Sequence, residues 1–145
     1  KPTRVSRSFL DASVLVRLFD DDEPVLQAAA RALVGDADGP VLVTSAPVLA
    51  EFHEAVTSGM ARPLAPLVAR RVVAELADLT VVAADAALVL AATDTADECG
   101  LALRDALTLE AAAVGGCDRV LTEALPHGTI VRGLLVEDPA ERSAP

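Results

Sequence analysis

Short apolar segments of strand length alternate along this chain with longer segments of helical periodicity. The strand-length segments lie at residues 8–10, 41–43, 79–82, 119–121 and 133–136. The helical segments lie at residues 14–20, 24–35, 47–58, 63–77, 85–99 and 105–115. Such alternation predicts an α/β fold of three layers (α/β/α), in which helices cover both faces of a mainly parallel central sheet of about five strands.

The length of 145 residues is sufficient for a single domain with one hydrophobic core. Hydrophobic residues make up 52% of the chain, but there are only three Phe and no Trp or Tyr, so the core should be aliphatic. From Glu137 onward the sequence is polar and contains two prolines. We therefore predict one domain over residues 1–138 and a flexible tail over residues 139–145.

The expected cellular location and the net charge limit the functions that this chain can have. No apolar run approaches the roughly 18 residues that span a bilayer, and the polar N-terminus lacks the apolar segment of a signal peptide. Two cysteines, Cys99 and Cys117, are too few for a disulfide framework, so we expect a cytoplasmic protein with reduced thiols. The net charge of −10 opposes nonspecific binding to nucleic acid. It fits either a solvated acidic surface or a cleft of carboxylates around a divalent cation.

Two aspartates occupy positions where ligands bind in open α/β sheets, outside the carboxyl ends of the strands. Asp11 follows the apolar pair Phe9 and Leu10, and Asp105 begins the helical segment before the fourth strand. Either aspartate could instead serve only as a helix N-cap, which is a common role for this residue. Spacing alone does not decide between these two interpretations.

Glu51 is a third candidate because of its position on a predicted helix. Val48, Leu49, Phe52, Ala55 and Val56 form the apolar stripe of this helix, and Glu51 borders it. Glu54 lies on the opposite, solvent-facing side, and His53 also lies off the stripe. Glutamates at the border of an apolar stripe are commonly just solvated, so the position alone does not establish a function.

The segments around these acids resemble the PIN domain, the metal-dependent ribonuclease fold of VapC-like toxins in type II toxin–antitoxin systems. The matching segments are FLDASVL at 9–15, VLAEF at 48–52, LRDAL at 103–107, LTE at 121–123 and HG at 127–128. The resemblance covers nearly the whole chain.

The resemblance implies a site and a reaction. In PIN domains, an Asp after the first strand, a Glu on an early helix and an Asp opening a late helix converge with a fourth acid. These acids hold Mg²⁺ or Mn²⁺ for hydrolysis of RNA phosphodiester bonds. Asp11, Glu51 and Asp105 match the first three positions, which implies that Asp11 and Asp105 are metal ligands and that Glu51 orients the attacking water. The residues implied to contact substrate or position the site are Ser13, Arg104 and Thr122.

The fourth acidic position departs from the family pattern. Where VapC-like toxins usually read Thr-Glu-Asp-Leu, this chain has Ala124 between Glu123 and Leu125. A methyl group cannot bind a cation, and three interpretations follow: Glu123 substitutes as the fourth catalytic acid, the protein binds RNA but cuts it poorly, or the alanine disarms a toxin. We favour impaired catalysis, because neighbouring residues in a turn point in different directions. Ser13, where many relatives have Asn, is a smaller departure.

Two functions from different classes remain open. The first is an endoribonuclease toxin that acts on tRNA or another structured RNA, forms a homodimer and is silenced by a cognate antitoxin, as the resemblance implies. The second is a non-catalytic PIN-like module that binds RNA or a protein partner. A P-loop enzyme is excluded because the chain has no Gly-rich loop ending in Gly-Lys-Ser/Thr. The acidic run at residues 20–23 lacks the lysine of a phosphoacceptor site, so we interpret it as a solvated loop.

Overall fold

The central layer of the fold is a single mixed sheet. The computed structural model describes residues 5–142. The strands are β1 (Arg7–Leu10), β2 (Val41–Ser45), β3 (Thr80–Val82), β4 (Arg119–Leu121), β5 (Ile130–Val131) and β6 (Leu134–Glu137). Their order in the sheet is β3-β2-β1-β4-β6-β5, and every neighbouring pair is parallel except β5 and β6. The predicted α/β fold is confirmed, with six strands in place of about five.

Helices connect the strands. They are α1 (Ala12–Arg17), α2 (Pro24–Val34), α3 (Ala46–Ser58), α4 (Pro66–Leu76), α5 (Ala86–Cys99), α6 (Leu103–Val114) and α7 (Pro139–Arg142). The side chain of Ser45 caps α3 by accepting a hydrogen bond from the Val48 amide. Helix α5 ends at Gly100, whose φ of 64° is a left-handed conformation that glycine adopts readily. Since α6 begins at Leu103, Asp105 lies in its first turn instead of opening the helix.

The core is aliphatic, as expected, and lies against both faces of the sheet. Strands β1, β2 and β4 contribute fully buried Phe9, Leu10, Val43, Val120 and Leu121. Phe52 of α3 is also fully buried, and its ring meets that of Phe19 edge-on, with 6.0 Å between centroids. This contact joins the end of α1 to α3, which carries Glu51. In the described part of the chain, no helix combines the length and apolar character needed to cross a bilayer.

The segment after β6 contains a short helix. Helix α7 follows Asp138, whose side chain accepts a hydrogen bond from the Ala140 amide at 3.0 Å. Pro139 is buried, and Arg142 pairs with Glu137 of β6 at 2.7 Å. Secondary structure therefore extends to Arg142, while residues 143–145 of the predicted tail lie outside the described residues. The domain boundary at residue 138 stays a prediction.

Candidate active site

The candidate site lies at the carboxyl edge of the sheet, between β1 and β4. In the sheet, β2 lies on one side of β1 and β4 lies on the other. Because the chain continues from β1 to β2, a crevice opens between the carboxyl ends of β1 and β4. Leu10 and Leu121 are paired in register, and the Asp11 amide donates to the Leu121 carbonyl at 3.1 Å. The residues that follow these strands, Asp11 and Thr122, are therefore neighbours.

A cavity of about 460 Å³ opens at this edge. Its walls include all four acids predicted as catalytic residues, which are Asp11, Glu51, Asp105 and Glu123, together with Ser13 and Arg104. These residues follow β1 and β4 or lie on α1, α3 and α6. The structure thus brings together acids that are widely separated in sequence, whereas Glu54 is exposed outside the cavity walls.

Asp11 is the most buried acid of the cavity, with 7% of its surface exposed. Its Oδ2 accepts hydrogen bonds from the hydroxyls of Thr122 at 2.7 Å and Ser13 at 2.9 Å. Although Asp11 precedes α1, its side chain makes no capping hydrogen bond, so the interpretation as a simple N-cap is wrong. Both hydroxyls thus bind the same carboxylate oxygen, and Asp11 also lines the cavity.

Backbone amides hold the two hydroxyls that bind Asp11. The Glu123 amide donates to Oγ of Ser13 and the Ala124 amide donates to Oγ1 of Thr122, each at 3.0 Å. Each hydroxyl in turn has one proton to donate to Oδ2 of Asp11, and the two hydroxyl oxygens lie 3.4 Å apart. Ser13 and Thr122, which the sequence predicts to contact substrate, therefore have Asp11 as their direct partner.

Glu51 and Asp105 are partly buried acids that experience the charge of their neighbours. Burial raises the pKa of Glu51, the negative charge of Asp11 raises it further, and Arg104 opposes both effects. Burial also raises the pKa of Asp105, where Arg104 again opposes the shift and Asp11 adds to it. Negative charge is therefore crowded in this cavity, and a bound cation would relieve the repulsion.

The donor set fits a hard divalent cation that keeps part of its water shell. Within residues 5–142, no three acidic, histidine or cysteine side chains are placed to hold a metal ion between them. Mg²⁺ usually binds through one or two carboxylates and retains several waters. Asp11 and Asp105 are the two carboxylates that could supply such ligands, and both add to the effect of burial in raising the pKa of Glu51.

Glu123 has a partner that the sequence does not predict. Nε and Nη2 of Arg17 donate to its two carboxylate oxygens at 2.9 and 2.8 Å. Nη1 of Arg17 donates to Asp20 at 2.6 Å, and the hydrogen bonds to Glu123 are the main cause of the raised pKa of Arg17. Ala124 lines the cavity beside Glu123. The carboxylate expected to replace the missing fourth acid is thus held by an arginine.

The acidic run at residues 20–23 is a loop that is exposed at residues 21–23, as expected, and it also borders the cavity. Asp20, Asp22 and Glu23 contribute to the cavity wall, and Asp22 pairs with Arg62 at 3.3 Å. This segment connects α1 to α2, and because α1 is short, the segment lies close to the site. No feature of the sequence predicts that position.

The chain belongs to the PIN domain family, whose model matches residues 8–123. Comparison with curated proteins gives no match.

Three solved structures share the fold. VapC20 of Mycobacterium tuberculosis, a sarcin-ricin loop cleaving toxin, is 21% identical, with a TM-score of 0.62 over 79% of this chain and 88% of that one. A toxin–antitoxin complex from Klebsiella pneumoniae is 16% identical, with a TM-score of 0.67 over 91% and 97%. VapBC2 from Rickettsia felis, bound to a DNA fragment from its promoter, is 16% identical, with a TM-score of 0.58 over 90% and 97%.

Proposed function

We propose that this protein is a metal-dependent endoribonuclease, the toxin of a toxin–antitoxin pair. The observation that carries the proposal is the convergence of Asp11, Glu51 and Asp105 in one cavity of a PIN-family fold. The carboxylates come from three separate parts of the chain, and burial raises the pKa of Glu51 and Asp105, with the charge of Asp11 adding to both shifts. A purely structural role does not explain why acids that repel one another share a cavity.

The proposed roles follow from the position of each acid. Asp11 and Asp105 hold Mg²⁺ or Mn²⁺. Such a cation lowers the pKa of a water molecule and offsets the charge that develops on the reacting phosphate. Glu51 accepts a hydrogen bond from the attacking water and takes up its proton, a role that fits a carboxyl whose pKa is raised by burial.

Arg104 is the proposed contact for the substrate phosphate. Its side chain is 68% exposed at the cavity, and its separation of 3.5 Å from Glu51 is a loose ion pair. A guanidinium in that position can exchange the carboxylate for a phosphate oxygen. Ser13 and Thr122 serve the substrate indirectly, because their hydroxyls hold Asp11.

The partners are proposed from the structural neighbours. One of them is a toxin that cleaves the sarcin-ricin loop, which supports tRNA or another structured RNA as the substrate class. The other two are a toxin–antitoxin complex and VapBC2, which support a cognate antitoxin as the protein partner. We further propose that the protein forms a homodimer and acts in the cytoplasm.

A non-catalytic module that binds RNA or a protein partner is the second candidate function. The observations that favour it are the methyl group of Ala124 at the cavity wall and the capture of Glu123 by Arg17. Both reduce the number of carboxylates available to a cation. Under this alternative, RNA binds without being cut.

Cleavage of a structured RNA pool with Mn²⁺ or with a chelator separates the two functions. We expect the wild-type chain to cut only with Mn²⁺ and Asp11→Asn to cut at least about 100-fold more slowly. Glu54→Gln is the matched control, because this exposed glutamate lies on α3 outside the cavity walls. RNA binding without cleavage by the wild-type chain would favour the binding module.

A further inference from the structure

Arg17 joins one end of α1 to the turn that follows β4. Its guanidinium donates through Nε and Nη2 to both oxygens of Glu123, which is a forked pairing. Nη1 donates to Asp20, which restrains the guanidinium from a second side. Only 27% of the Arg17 side chain is exposed, so this pair is better shielded from solvent than the ion pairs of Arg62 and Arg104.

The same turn is attached to the opposite end of α1. Ser13 accepts from the Glu123 amide, and Thr122 donates to Asp11, which immediately precedes the helix. Helix α1 has only six residues, so these attachments lie within one short element. The turn at residues 122–124 is therefore held at both ends of α1, by Arg17 at one end and by Ser13 and Asp11 at the other.

The orientation of Asp11 depends on the position of this turn. The amides of Glu123 and Ala124 donate to the hydroxyl oxygens of Ser13 and Thr122 and so hold in place the two hydroxyls that donate to Oδ2. If the turn moved away, the hydroxyls would be free to rotate and the Asp11 side chain would lose its constraint. Residues that only support a metal ligand commonly change metal affinity by about 10- to 100-fold.

We propose that Arg17 is a positioning residue for Asp11, acting through Glu123 and the turn at residues 122–124. The inference rests on the proposed function, since it assigns to Asp11 the binding of a divalent cation. It also gives Glu123 a role other than that of a substitute fourth acid. In this role the Glu123 carboxylate holds the turn in place through its pairing with Arg17.

The first test measures the turn itself and needs no metal. Hydrogen exchange of the Glu123 and Ala124 amides is compared between the wild-type chain, Arg17→Met and Arg62→Met. Arg62→Met is the matched control, because it removes an arginine that pairs with an acid of the cavity wall but is 75% exposed. We expect at least about tenfold faster exchange in Arg17→Met alone. Unchanged exchange in that variant would overturn the proposal.

The second test measures Mn²⁺ affinity and the kinetics of RNA cleavage. Arg17→Met should weaken Mn²⁺ binding by about 10- to 100-fold and lower kcat at fixed metal, with KM for RNA unchanged. Arg17→Lys should recover part of the loss, since it keeps the charge. A rise in KM alone would instead identify Arg17 as a phosphate contact and overturn the positioning role.

A double variant tests whether Arg17 acts through Glu123. Removal of either partner should produce the same loss, and Arg17→Met combined with Glu123→Ala should lose no more than either single variant. Additive losses of Mn²⁺ affinity in the double variant would show that Arg17 does not act through Glu123. If the wild-type chain binds no Mn²⁺, the proposed function fails, whereas the hydrogen-exchange comparison still decides whether Arg17 holds the turn.

Discussion

The hydroxyl of Thr122 donates a hydrogen bond of 2.7 Å to Oδ2 of Asp11, although 111 positions separate the two residues in the sequence. The contact follows from the parallel pairing of β1 with β4, because both residues come directly after paired strand ends. Both side chains are almost fully buried. This hydrogen bond connects the sheet to the proposed metal-binding carboxylate.

Replacement of Thr122 by Val should impair the site while preserving its shape. The variant removes the donor to Asp11 and the acceptor of the Ala124 amide. We expect kcat to fall by about 10- to 100-fold and the free energy of unfolding to fall by about 1–3 kcal/mol. Thr122→Ser keeps the hydroxyl and should stay near wild type in RNA cleavage. Equal rates for the Val and Ser variants would show that the hydroxyl is dispensable.

Ala124→Asp should strengthen metal binding and speed RNA cleavage. Ala124 is exposed in the cavity wall, so an added carboxylate is accommodated without disturbing the core. We expect at least about tenfold tighter Mn²⁺ binding, since a direct ligand should contribute no less than a supporting residue. The measurements are Mn²⁺ titration and cleavage rate on one RNA. No change in either would mean that position 124 does not face the cation.

Glu51→Gln should stabilise the metal-free protein at neutral pH while abolishing cleavage. The pKa of Glu51 in the folded state is raised above its ordinary value of 4.5, mainly by burial. The folded state therefore binds the proton more tightly than the unfolded state, and stability is lost as the pH rises through the folded pKa. Near pH 7 we expect a gain of up to about 1 kcal/mol, a modest figure because part of the side chain faces water.

The pH dependence distinguishes this effect from a general effect of charge removal. Urea unfolding of Glu51→Gln and the wild-type chain should show the gain at pH 7 and a smaller gain at pH 4.5. Glu54→Gln removes an exposed carboxylate from the same helix and is the control for loss of a charge alone. If Glu51→Gln and the wild-type chain differed by the same free energy of unfolding at both pH values, the gain could not be assigned to the titration of Glu51.

The core of the candidate site was predictable because strand ends and helix faces are local properties. Asp11 follows an apolar strand, and Glu51 borders the apolar stripe of α3. Parallel strands bring such residues to one edge, and the structure places both in the cavity with Asp105. The resemblance to PIN domains supplied the expectation that the three acids form a metal site.

The pairing of Arg17 with Glu123 was not predictable, since 106 positions separate the partners. Strand β5 was missed because it has only two residues, and the turn after it includes Arg132 at a φ of 54°. Helix α7 was missed although its signals are present. Asp138 followed by Pro139 is a typical N-cap and first helical residue, but the polar composition was interpreted as a tail.

Calorimetric titration of Mn²⁺ into the wild-type chain, Asp11→Asn and Asp105→Asn tests the central claim most directly. Each variant keeps the side-chain shape and removes one carboxylate from the cavity. The account predicts saturable binding to the wild-type chain and at least about tenfold weaker binding to both variants, with the far-UV circular dichroism unchanged. Equal Mn²⁺ affinity in all three proteins, or no binding to the wild-type chain, would contradict it.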